Sequence, residues 1–238
     1  MGEWKVKKMY KNFFKRVFDF IFSFTGLIVL LPLFVIVATL VKITSKGPVL
    51  FKQERIGFHG KVFKILKFRS MCVGAEYQEG GVYSGKGDKR VTKIGRILRA
   101  TSIDELPQMF NILKGDMSFI GPRPPLKYHP WKYEEYTDEQ KKMFDIRPGI
   151  TGWAQVHGRK EVEWHKRIDL NIWYVDHVSL WIDLKIFFMT LKKVFTNANN
   201  ENVGKTVENE AQIEKKVAKI EKFSDATENI SERDIYTD

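Results

Sequence analysis

No charged residue interrupts the run from Phe20 to Val41, and these 22 positions dominate the hydropathy pattern of the chain. As one helix rising roughly 1.5 Å per residue, the run would cross a hydrocarbon core of about 30 Å. Pro32 lies inside it. It has no N–H to give the Ile28 carbonyl and its ring crowds the preceding turn, so a kink is predicted there. Both flanks are basic, with Lys5, Lys7, Lys8, Lys11, Lys15 and Arg16 before the run and Lys42, Lys46, Lys52 and Arg55 after it. Basic residues collect on the cytoplasmic side, so this symmetry suits a segment that enters and leaves the same leaflet. A single-pass helix kinked at proline accounts for the apolar pattern equally well. The run is longer than a signal-peptide core and no A-x-A cleavage site follows it. Residues 1–46 therefore read as a basic leader and a retained membrane segment.

Past the turn at Lys46-Gly47-Pro48, the apolar-rich stretches Val49–Gln53 and Lys61–Phe68 flank Gly57-Phe58-His59-Gly60 and predict a short β-hairpin. Ser70 to Asp88 reads as a glycine-rich loop. Val91–Arg99 and Leu106–Lys114 read as helices, the second closed by Gly115. The proline-rich stretch Ser118–Pro130 reads as an ordered loop rather than regular structure. Thr137-Asp138-Glu139-Gln140 has capping-box spacing and predicts a helix reaching Asp145. Pro148-Gly149 predicts a break before a helix near Glu161–His177. In Ser179–Phe195, the residues Trp181, Leu184, Phe188, Leu191 and Phe195 fall roughly on one helical face. That face suits either a membrane interface or a core. The resulting expectation is an α+β fold, mostly helical, with a membrane segment at 1–46, a catalytic or binding domain at 47–196 and a flexible tail at 197–238. A weak helix at Ala211–Phe223 is the one element expected in that tail.

Charge sharpens this division. The chain carries +11, yet the 10 acidic and 6 basic residues from Asn197 onward give the tail −4, leaving +15 on the body. A basic body calls for an anionic partner. Much of the positive charge lies beside the apolar run, where membrane lipid is the obvious partner, and no nucleic-acid-binding signature appears. The lone Cys72 excludes an internal disulfide and fits a reducing compartment. The five histidines form no H-x-x-x-H pair, and neither C-x-x-C nor G-x-S-x-G occurs. Gly80 to Gly87 imitates a P-loop but is one residue short, with Gly87 where a hydroxyl should reach magnesium.

Chemistry concentrates at Thr101-Ser102-Ile103-Asp104-Glu105-Leu106-Pro107-Gln108, followed by Gly121-Pro122-Arg123-Pro124. Ser102 and Glu105 have the spacing of a capping box, and on spacing alone a helix start is the better reading of the two acids. Their surroundings point elsewhere. Arg96, Arg99 and Arg123 are near in sequence, and a proline-braced Arg123 can present its planar fork to a phosphate. Adjacent carboxylates with fixed arginines are what phosphoryl transfer needs.

These residues also carry a family resemblance. Lys15-Arg16-Val17-Phe18-Asp19, Gly47 to Arg55, Lys64-Ile65-Leu66-Lys67-Phe68-Arg69-Ser70-Met71, Arg90 to Arg96, the acid cluster, Ile120 to Pro124, Arg147 to Val156 and Asp169 to Val175 occur in order. Together they resemble the bacterial sugar transferases, specifically the small monotopic polyprenyl-phosphate phosphoglycosyl transferases. The resemblance implies a re-entrant helix-break-helix at Pro32, interfacial amphipathic helices and a Mg2+-dependent site on the cytoplasmic face of the bacterial inner membrane. It implies that Asp104, also placed as a magnesium ligand, attacks the β-phosphorus of a UDP-sugar and releases UMP. A polyprenyl phosphate then takes the phosphosugar with Glu105 as base or proton handler. Lys67, Arg69, Arg99, Arg123 and Arg147, basic residues in or beside the matching stretches, become the substrate-binding candidates. Downstream glycosyltransferases become further partners. One departure stands out: the family's usual Ser before the break proline is Leu31 here, which implies a less sharp break. A membrane-anchored binding or scaffold protein is the alternative reading of the same basic surface.

Overall fold

The computed structural model describes residues 9–78, 81, 84, 87–157 and 164–195. The tail and most of the P-loop-like stretch Gly80 to Gly87 lie outside the described residues. After a π-turn at Tyr10–Phe14, helix α1 covers Lys15–Val29 and helix α2 Leu31–Thr44. The two axes meet at 64°, and neither helix is by itself long and apolar enough to cross a membrane. The break falls at Leu30, two residues before the expected proline. Pro32 sits instead in the first turn of α2, where a missing N–H costs no intrahelical bond. The bend forms without a hydroxyl at position 31. Leu30 N still donates to Gly26 O and Phe34 N to Leu30 O, each at 2.9 Å, so little backbone is left unpaired across it.

Helix α1 is amphipathic in the reverse sense to a helix in water. Its buried residues are Lys15, Asp19 and Ser23, one polar stripe at i, i+4 and i+8. Phe22, Ile28 and Val29 face outward at 61%, 58% and 68% exposure. The polar stripe is the adhesive. Asp19 Oδ1 accepts from Ser118 Oγ and Phe119 N, both at 3.0 Å. Lys15 pairs with the buried Asp183, which also accepts from Tyr10 and Tyr174. Arg16 caps the Ile112 and Leu113 carbonyls.

Strands β1 (Leu50–Ile56) and β2 (Val62–Phe68) form the expected hairpin, in register from Leu50↔Phe68 to Ile56↔Val62. The two faces of β2 serve two sides of the domain. Phe68 packs with Val37 and Val41 of α2, while Phe63 and Ile65 pack with Ile112 and Met117. Helix α3 (Lys93–Ala100) is capped by Thr92, and α4 (Gln108–Lys114) ends on Gly115 at φ 98°. A parallel pair follows that the proline-rich sequence concealed: β3 (Ser118–Ile120) and β4 (Gly149–Thr151). Three residues are too few to show alternation. A Cβ at Gly149 or Gly152 would strike the backbone of Gly121, so glycine lets these chains touch.

The capping box at Thr137 and Gln140 forms as expected and opens α5 (Asp138–Lys141), which tightens into a 3-10 turn at Lys142–Phe144. The short helix α6 (Trp153–His157) was not foreseen. Helices α7 (Trp164–His177) and α8 (Leu180–Phe195) close the domain, while residues 158–163 lie outside the described set. On α8 the predicted apolar face is the outer one, with Trp181 at 81% and Phe188 at 62% exposure, whereas Ile186 and Asp183 turn inward. The fold is thus mostly helical with a short antiparallel hairpin.

Gly95 gives a sign-dependent test of how α3 is seated. A Cβ there would overlap the Ser70 carbonyl. In an exposed helix position Gly→Ala stabilises by about 1 kcal/mol. Gly95→Ala should instead destabilise by roughly 2 kcal/mol, as a backbone clash does. A lowered melting temperature checks this, and an unchanged or raised one would show that α3 is not pressed against the end of β2.

Candidate active site

The acid pair is presented by an unusual piece of backbone. After α3 the chain turns through Ser102, whose φ of 58° is left-handed. It then makes a 3-10 turn over Ile103–Glu105 and enters α4 through Pro107. A non-glycine residue in that region costs of order 1 kcal/mol or more and persists only where its surroundings hold it. Ser102 makes no side-chain capping bond, so the capping-box reading of Ser102 and Glu105 does not hold. Glu105 faces across to β2 instead.

Its carboxylate accepts from Lys67 Nζ at 2.6 Å, and Arg123 Nη2 stands 4.0 Å away. Asp104, at 8% exposure, makes no hydrogen bond to any described residue. Burial pushes its carboxyl from the ordinary 3.8 up to about 6, with Glu105 adding to the rise while Lys67, Arg99 and Arg123 oppose it. Asp104 is therefore a desolvated carboxylate in a field of three cations. Arg99 is held by Ser70 Oγ and Ser84 Oγ, each at 2.8 Å, and its charge is disfavoured chiefly by burial and favoured by Asp104. Arg123 differs, being half-exposed. It offers a guanidinium to whatever enters.

Lys67, Arg99, Arg123, Asp104 and Glu105 thus come together from β2, α3, the loop after β3 and the 3-10 turn. Two further predicted substrate contacts, Arg69 and Arg147, are engaged with backbone carbonyls, and Arg69 also lines the crevice beside the pair. Arg69 donates to the carbonyls of Val41, Ser45 and Lys46, capping the last turn of α2 and fastening it to β2. Arg147 donates to Gly115 O at 2.9 Å and stacks over Phe58, at the other end of α4. Both guanidiniums tie backbone together. Arg55, read as part of a basic flank and of the matching stretch Gly47 to Arg55 but not as a site residue, reaches the cluster through Pro124 O, and Arg123 and Glu105 act on its charge. Gln108, the last residue of the acid cluster, is buried beside the pair as well. Their place beside the pair is set by strand pairing and by the turn at Pro107, which no local pattern shows.

The pair opens onto a crevice of about 2540 Å³, several times the volume of a typical small-ligand pocket. Arg99, Asp104 and Arg123 line one part of it, and Phe18, Phe187 and Leu191 another. A charged head and an apolar chain can both be accommodated.

Comparison with known proteins places the sequence in a family. The sequence profile of the family described as "Bacterial sugar transferase" matches residues 10–197. A UDP-glucose:undecaprenyl-phosphate glucose-1-phosphate transferase of Klebsiella pneumoniae is 46% identical over 189 residues, covering 77% of this chain and 40% of that protein. The uncharacterized sugar transferase EpsL of Bacillus subtilis (strain 168) is 44% identical, over 77% of this chain and 88% of its own length. A UDP-N-acetylgalactosamine-undecaprenyl-phosphate N-acetylgalactosaminephosphotransferase of Aeromonas hydrophila is 41% identical, over 77% of this chain and 44% of its own. The chain therefore spans less than half of the Klebsiella and Aeromonas relatives and most of the Bacillus one. With the profile covering nearly all described residues, the chain belongs to the bacterial sugar transferase family.

Proposed function

We propose that this protein transfers a sugar-1-phosphate from a UDP-sugar to a polyprenyl phosphate such as undecaprenyl phosphate. The observation that carries the proposal is Asp104, a buried carboxylate with no hydrogen-bonding partner among the described residues, surrounded by Lys67, Arg99 and Arg123. A carboxylate relieved of donors keeps its lone pairs for attack, and the cations offset charge on the oxygens in flight. Asp104 Oδ bonds to the β-phosphorus as the bond to the UMP oxygen breaks, and UMP leaves with that electron pair. The polyprenyl phosphate oxygen then attacks the same phosphorus and the Asp104 carboxylate is expelled. Glu105 receives any proton carried by the acceptor phosphate, and Arg123 holds the incoming phosphate. The product would begin a surface glycan that further glycosyltransferases extend.

Magnesium is part of the proposal. Among the described residues no three acidic, His or Cys side chains converge. Magnesium, however, commonly takes one or two carboxylates and completes its shell with substrate phosphates and water, so the pair fits it. Asp104 would hold it with the diphosphate, where it would neutralise charge on the transferring group.

Placement of the bent helices in one leaflet, with the domain on the cytoplasmic face of the bacterial inner membrane, is supported by their anchorage. Lys15, Arg16 and Asp19 at one end, and the Val41, Ser45 and Lys46 carbonyls at the other, bond to the same domain. A spanning segment would part those ends by about 30 Å. The outward apolar faces of α1 and α8 would contact lipid.

Reaction order tests the chemistry. Purified enzyme, magnesium and UDP-sugar labelled in the sugar, without lipid, should release UMP up to about one equivalent and leave label on the protein. An enzyme that turns over only with both substrates, without burst or bound label, would replace the covalent route by direct transfer. An enzyme that releases no UMP under any condition would point to a binding or scaffold role.

Asp104→Asn should abolish turnover and raise stability. Between pH 3.8 and about 6 the folded state holds a proton that the unfolded state has lost, so folding weakens as pH rises through that window. At neutral pH the buried charge costs of order 3 kcal/mol, which the amide removes. Thermal melts should show the variant above the parent at pH 8 and level with it near pH 3.5. Equal melting at both pH values would show that Asp104 carries no such burden.

Topology is checked with Lys5→Cys and Lys46→Cys in a Cys72→Ser background. Neither cysteine should react with an impermeant thiol reagent applied to intact cells, and both should react after lysis. Labelling of one from outside would establish a spanning helix.

A further inference from the structure

Beside the acid pair lies a second cavity, of only about 10 Å³, with Arg55, Lys67, Glu105, Gln108 and Arg123 in its wall. Two buried donors in that wall, Arg55 Nε and Gln108 Nε2, have no partner among the described residues. Gln108 is 2% exposed, so bulk solvent does not reach it. Arg55 is committed in direction, since its other nitrogens donate to Pro124 O at 3.0 Å and Gln53 Oε1 at 2.6 Å. Two orphaned donors facing one cavity are costly unless a single group accepts from both.

The wall also decides what that group is. A cation is repelled by Arg55, Lys67 and Arg123, and an anion the size of phosphate does not fit so small a space. An apolar atom would leave both donors unpaired. The space is about that needed by one water, which must also find two to four polar partners. A water has two lone pairs for Arg55 and Gln108 and two hydrogens to give onward.

We propose that one resident water occupies this cavity, accepts from Arg55 Nε and Gln108 Nε2, donates to the Glu105 carboxylate, and fixes that carboxylate for the second half-reaction. The catalytic part rests on the phosphosugar-transfer reading above. Lys67 anchors Glu105 at Oε1, and the water supplies an anchor from the side of α4 and β1. Gln108 is then a positioning residue that acts through the water.

The test pairs a map with single-turnover kinetics. A high-resolution crystal structure of the full chain should show one ordered water within hydrogen-bond distance of Arg55 Nε, Gln108 Nε2 and Glu105. Discharge of the labelled phosphosugar-enzyme by polyprenyl phosphate is then followed in single turnover at neutral pH over a range of acceptor concentrations. Gln108→Met keeps length and volume but loses the donor. It should slow the saturating rate of discharge roughly tenfold and leave the acceptor concentration for half-maximal rate within about twofold. Gln108→Asn keeps an amide and leaves room for a second bridging water, so it should recover part of the rate. It also serves if the Met variant does not fold, as judged by melting. An empty cavity in a map that shows neighbouring waters, or a folded Met variant that discharges at the parent's rate, overturns the proposal. Failure of any UDP-sugar to release UMP would sink the transferase reading, while the map would still decide the water.

Discussion

The structure depends on one inversion: a helix whose polar stripe faces protein and whose apolar surface faces out. Lys15, Asp19 and Ser23 are all buried, and Asp19 and Lys15 reach β3 and α8. A charge taken out of water is costly unless it is paired and hydrogen-bonded. Here Asp183 has Lys15 and two tyrosine hydroxyls, and Asp19 has a hydroxyl and a backbone N–H. Because these bonds leave from one end of the apolar pair while Arg69 grips the other, the bent helices are bound to the domain at both ends. Helix α1 in turn lies against α4, where Gly26 leaves room for the tip of Met109, and α4 continues directly from the acid pair. The position of the acid-bearing turn is thus inherited from the helix whose apolar surface faces out.

The site itself is a contest between burial and charge. Asp104 lies far enough from solvent that its ionised form is penalised, and the cations around it return only part of that penalty. A structural carboxylate would be expected to acquire donors, as Asp19 and Asp183 have done within the same domain. Asp104 has acquired none among the described residues, and the backbone that presents it passes through a left-handed serine. Two local costs within three residues fit a turn shaped for reactivity rather than stability.

Much of this was legible in the sequence wherever a single segment carries the information. The long uncharged run, the hairpin with its glycine turn, the Thr137 capping box and the apolar face of α8 are patterns with periods shorter than the elements that hold them. The acid pair was legible too, through composition and resemblance. Arginine roles were not. Arg69 and Arg147 have the same flexible fork as Arg123, and only tertiary placement decides whether that fork meets a carbonyl or a crevice. The β3–β4 pair escaped because each strand is three residues long and its contacts rest on glycines that read locally as breaks. Ser102-x-x-Glu105 matched a capping box in spacing, but Pro107 moved the start of α4 beyond both residues. A spacing rule has force only when the helix begins where the rule assumes.

The 3-10 turn also explains how two neighbouring acids can serve different ends. At about three residues per turn, adjacent side chains diverge by roughly 120°. In an extended strand they would lie on opposite faces, and far apart they would lose their shared cations. Both acids line the crevice, and divergence by one third of a turn lets Glu105 reach Lys67 on β2 while Asp104 keeps clear of it. Lys67 and Arg123 remain close enough to act on both. Glu105, being longer by one methylene, spans to the strand. Asp104, being shorter, stays close to the backbone that aims it. Exchanging the two residues would keep every charge and lose this division, because the shorter side chain at position 105 would fall short of Lys67.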